Sequence, residues 1–156
     1  MTNFLDKFLK VLVAACMTLM VVVVTWQVVS RYALGDPSPW TEEVARMLLI
    51  WVGLLGGAYA FRERAHLGLD LLRQKLDEPG QRRLDIFTDI CCGSFAVAVL
   101  IVGGSSLVKL TWDLKQTTAV VGIPMAWVYV ALPLSGLLIA WFSVADLFAG
   151  EEEAGQ

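Results

Sequence analysis

Along this chain the polar residues gather at intervals and leave four long apolar stretches between them, at roughly 11–30, 47–61, 90–108 and 117–145. A helix that crosses a bilayer needs about 20 mostly apolar residues, and slightly fewer suffice when long polar side chains at its ends reach back to water. The pattern predicts an all-α integral membrane protein with four transmembrane helices, spanning about 11–31, 40–61, 85–108 and 122–147. One membrane domain over residues 1–150 and an acidic tail over 151–156 then account for the sequence. No ionisable side chain falls in the middle of any stretch. Intramembrane charges and histidines are the usual marks of ion paths, proton relays and charged-substrate sites, so their confinement to the span ends suits a supporting subunit and not an engine.

The polar segments between the stretches predict how the helices begin and end. Phe4, Leu5, Phe8 and Leu9 share one side of a 4–10 lead, which suggests a short amphipathic helix resting on the membrane surface. In the first connection Ser38 reads as an N-cap and Pro39 as the first residue of the second helix. The opening turns of that helix carry Trp40, Thr41, Glu42, Glu43 and Arg46; acidic groups suit a helix N-terminus, and Glu42 stands one turn before Arg46, within pairing distance. These charges fit either a solvated ion pair or a polar contact to a partner subunit. Further down, Gly53, Gly56, Gly57 and Ala60 form overlapping small-x-x-x-small spacings, which let helices approach closely in lipid, within this chain or against another protein.

Asp77-Glu78-Pro79-Gly80 reads as a helix stop, and Leu69, Leu72 and Leu76 before it recur at helical spacing opposite Asp70, Arg73 and Asp77, which predicts a second surface helix. The third helix is expected from near Leu84 to about Leu114, about 45 Å long and longer than the roughly 30 Å hydrocarbon layer. Gly103-Gly104-Ser105-Ser106 is expected to loosen it. Gly122, Ile123 and Pro124 offer the start of the fourth helix, and Pro133 should kink it.

Composition agrees with a chain made almost wholly of membrane helices: 57% of its 156 residues are hydrophobic and six are Trp. The net charge of −3 comes with Glu151, Glu152 and Glu153 in the tail, so no basic patch for nucleic acid is present. Cys16, Cys91 and Cys92 lie in apolar stretches without metal-ligand spacing and read as small apolar residues of helix walls. Residues 13–16 resemble a lipoprotein cleavage site, but Lys10 interrupts the preceding apolar run and the run continues past Cys16, which favours a retained first span. His66 is the sole histidine, so bis-histidine haem ligation within one chain is impossible, and an interfacial hydrogen-bonding role fits it better. No catalytic residues, metal or cofactor are expected.

Orientation follows from the basic residues. Lys7, Lys10, Arg62, Arg64, Arg73, Lys75, Arg82 and Arg83 fall on one side, against Arg31, Arg46, Lys109 and Lys115 on the other. The richer side should be cytoplasmic, with both termini inside. Tyr32, Trp40, Trp112 and Trp127 then collect near the outer boundary, where amphipathic rings prefer to sit.

Four blocks taken together resemble one known family: Gln27-Val28-Val29-Ser30-Arg31-Tyr32, then Trp40-Thr41-Glu42-Glu43-Val44-Ala45-Arg46, then Arg64-Ala65-His66-Leu67-Gly68-Leu69-Asp70, and the run from Thr117 to Trp127. In order and in hydropathy they resemble the DctQ-type small membrane subunit of tripartite ATP-independent periplasmic (TRAP) transporters, over about residues 5–148. The resemblance implies a protein of a bacterial or archaeal cytoplasmic membrane, partnered by a large multi-span transport subunit and a periplasmic substrate-binding protein. It implies import of an organic acid, driven by a sodium gradient. On that reading Arg31, Trp40, Glu42, Glu43, Arg46, Asp113, Lys115 and Trp127 are candidate outer contacts to partners, and Arg64, His66 and Asp70 would brace the inner side. Two other classes compete: a haem or quinone anchor for a redox enzyme, which the lone histidine opposes, and a small autonomous channel or exporter.

Overall fold

A computed structural model describes residues 2–36, 38–63 and 76–152 of the chain. All four expected spans are present as helices long and apolar enough to cross a membrane, and together they make a multi-pass membrane protein. The first is α1 (Thr2–Tyr32) and the second α2 (Pro39–Arg62). The third is composite: α3 (Glu78–Phe95) runs into a π-helical segment (Ala96–Gly103) and then α4 (Gly104–Asp113). The fourth joins a short α5 (Met125–Tyr129) to α6 (Ala131–Glu152).

The helix boundaries follow local chemistry, with several departures from the sequence reading. The 4–10 lead is no separate surface helix: it forms the opening turns of α1, and Leu9 is buried in the core while Phe8 is exposed. Ser38 does occupy the N-cap position of α2 with Pro39 behind it, but its hydroxyl makes no capping bond. Its carbonyl accepts instead, from the Thr41 hydroxyl at 2.7 Å, and Thr41 is fully buried. Asp77-Glu78-Pro79-Gly80 opens the third helix at Glu78, six residues before the expected start, with Asp77 as its N-cap. The physical reason is that Pro lacks only an N–H that the first turn leaves unpaired anyway, so one tetrapeptide serves equally to end a helix and to begin one. The second surface helix expected around Leu69 and Leu72 lies outside the described residues.

The third span covers 34 residues, about 51 Å at 1.5 Å per residue, and overshoots the hydrocarbon layer as expected. Its irregularity lies almost wholly before the 103–106 glycine–serine run and takes in only its first residue, Gly103, while Gly104 is packed, not loose. In the fourth span the helix breaks at Val130, right after Tyr129. Tyr129 is four residues before Pro133, and a proline ring displaces the carbonyl at that position while offering it no N–H.

The helices stand in a row. Backbones approach within 8 Å between the first and second spans, the second and fourth, and the fourth and third; among the described residues no other pair of spans does so. A soluble bundle would close to hide its apolar faces, but lipid is as apolar as leucine, so nothing forces closure here. The apolar faces of the row stay open: Val11, Val21, Phe87 and Val102 are each more than half exposed. The packed core is small and lies towards the end of the row where Leu9, Leu55, Ala58, Phe61 and Phe142 meet.

Two contacts between spans have very different textures. Where the third and fourth spans cross, a Cβ at Gly136 would come within 2.7 Å of the Leu100 Cβ and 3.1 Å of the Ala96 carbonyl. A Cβ at Gly104 would come within 2.8 Å of the Leu132 Cβ, and one at Gly93 within 2.7 Å of the Ser143 Oγ. At Gly104 and Gly136 the obstructing atoms include backbone, so two helix backbones nearly touch there, while at Gly93 the close neighbour is the Ser143 side chain. On α2 the expected packing glycines behave otherwise: Gly56 faces Val13 of α1 at ordinary distance, while Gly53 and Gly57 meet nothing within 4 Å.

Candidate functional site

Polar side chains collect at the two ends of the row. At the end expected to face outwards, the first turns of α2 carry Glu42 and Arg46, whose carboxylate and guanidinium lie 3.1 Å apart and are 61% and 71% exposed. A pair so open to water contributes little to stability. Glu43, the next residue, turns the other way. Its carboxylate accepts the backbone N–H of Val120 at 3.1 Å and of Val121 at 2.7 Å, both in the loop before the fourth span. A carboxylate taking two consecutive backbone donors makes charge-assisted bonds, the stronger kind, and satisfies amides that a loop leaves unpaired. Glu43 thus belongs to the chain's own architecture.

The remaining outer candidates are exposed. Arg31 lies in the last turn of α1, Asp113 ends α4, and Lys115 takes a left-handed conformation (φ 50°) just beyond it; none of the three forms an ion pair among the described residues. Trp40, Trp112 and Trp127 are 45%, 61% and 61% exposed. That suits rings in the interfacial layer of a bilayer.

At the opposite end the row is tied by residues that sequence spacing did not single out. Arg62, the last residue of α2, reaches Asp6 of α1 at 3.3 Å, and its guanidinium carbon sits 5.5 Å from the centre of the buried Phe142 ring of α6. Both partners of the ion pair are about three-quarters shielded from solvent. Arg is suited to such a place because its flat, weakly hydrated head pairs with a carboxylate and stacks on a ring at once. Nearby the Ser143 hydroxyl donates to the Asp89 carbonyl at 2.6 Å, joining α6 to α3, and the Tyr59 hydroxyl donates to Glu63 at 3.0 Å. Asp6 and Arg62 are 56 residues apart, so no local periodicity links them. The signal that could have paired them is depth: in antiparallel helices the start of one span and the end of the next lie at one level. Arg64, His66 and Asp70 lie outside the described residues.

Chemically, these arrangements hold helices and a loop. Among the described residues no three of His, Cys, Asp and Glu come together as a metal-binding group. Among the described residues the spans form no ring that could enclose a path, since the first and third each have a single neighbour.

Comparison with known proteins places this architecture. The chain is 31% identical, over 96% of its own length and 91% of the relative's, to a Haemophilus influenzae protein assigned as a TRAP transporter small permease protein. It is 27% identical to the sialic acid TRAP transporter small permease protein SiaQ of Vibrio cholerae, over 94% of this chain and 83% of that one. It is also 29% identical over 90% of its length to the isethionate TRAP transporter permease protein DctMQ of Oleidesulfovibrio alaskensis, where the matched part is 23% of a much longer chain. Residues 20–152 match the family described as "Tripartite ATP-independent periplasmic transporters, DctQ component", and the chain belongs to that family.

Proposed function

We propose that this chain is the bracing subunit of a secondary transporter of a bacterial inner membrane. It works beside a large multi-span transport subunit and a periplasmic substrate-binding protein, and the assembly imports an organic acid, driven by a sodium gradient. The observation that carries this reading is the row itself. Among the described residues the four spans stand in a line that encloses no route, and the sequence places no ionisable group at mid-depth, which supports assigning the moving and binding parts to a neighbour. The longer isethionate relative supports the pairing, because there a stretch like this chain is continuous with further permease sequence. Both termini lie in the cytoplasm on the basic-residue asymmetry, which turns the Glu42–Arg46 end towards the periplasm.

The bracing role is mechanical. A subunit that changes access across a bilayer moves against something fixed, and helices packed along that fixed part enlarge it. The test is reconstitution in proteoliposomes under an inward sodium gradient, with a panel of labelled C4-dicarboxylates, keto acids, sugar acids and sialic acid. Uptake is expected with the large subunit, this chain and the binding protein together, and not when any one is left out. Accumulation of solute by this chain alone would overturn the reading. So would a purified complex that shows a haem spectrum, which belongs to the redox-anchor class.

A further inference from the structure

We draw no further inference here: the strongest candidate, the exposed face of α2 that runs from the Glu42–Arg46 pair past Leu49 to Gly53 and Gly57, carries nothing, because nothing in the structure shows what covers it.

Discussion

Two sets of glycines in this chain look alike in sequence and do opposite things. Gly93, Gly104 and Gly136 stand where the third and fourth spans all but touch, and an added methyl at any of them would collide with a neighbour. Gly53 and Gly57, in the more conspicuous motif, open onto empty space. Glycine in a membrane helix is costly to order and leaves little to pack, so it persists where something comes close. At the first seam the approaching backbone belongs to this chain. At the second no backbone of this chain approaches among the described residues, so the α2 stripe is left for lipid or a neighbour.

The largest test of that contrast is Gly136→Leu. Overpacking of a tight site typically costs 1–3 kcal/mol, and with a backbone carbonyl as one of the obstructing atoms the upper end, about 3 kcal/mol, is expected. Thermal unfolding of the purified chain in detergent should fall by roughly 6–12 °C. An unshifted transition would mean that the crossing is looser than described. Next in size is Arg62→Ala, which removes both the Asp6 ion pair and the contact with Phe142 and leaves a shielded carboxylate behind; about 1–3 kcal/mol is expected. A double-mutant cycle with Phe142→Leu separates the two contributions, and additivity of the single changes would show that ring and guanidinium do not interact.

Gly53→Leu and Gly57→Leu sharpen the comparison from its other side. Stability of the isolated chain should hold or rise, by up to about 1 kcal/mol from helix propensity, because an added Cβ at either position meets nothing within 4 Å. Yield of the complex with the large subunit should drop clearly. Destabilisation of the isolated chain, with yield of the complex intact, would erase the distinction between the two sets. Smallest is Glu42→Gln: an ion pair as open as Glu42–Arg46 contributes about 0–1 kcal/mol, so chemical denaturation should scarcely register its loss, and a large shift would reveal a burial absent from this structure.

Much of the fold was legible in the sequence because a bilayer is an undemanding judge. Four apolar stretches suffice to name four helices, and Pro133 sufficed to place a break. The composite third helix was legible in length only; its π segment has no residue signature, since Ala96 to Gly103 is ordinary apolar sequence. The role of Asp77-Glu78-Pro79-Gly80 was misread because its local preferences are symmetric between ending and beginning a helix. At the site, the Glu42–Arg46 pair followed from spacing along one helix. Glu43 and Arg62 instead find partners on other segments, and which loop a carboxylate will clasp depends on how the spans are ordered in the row. That order is a property of packing, and hydropathy does not encode it.

Helices arranged in a line also come apart differently from helices wrapped round a common centre. Among the described residues only one small cluster is shared by more than two spans, so loss of an outermost member removes contacts chiefly from its one neighbour. The chain on its own should therefore open locally at an edge span before its main transition, and amide exchange should record protection that differs from span to span. A neighbour packed along the row would raise the protection of every span it touches.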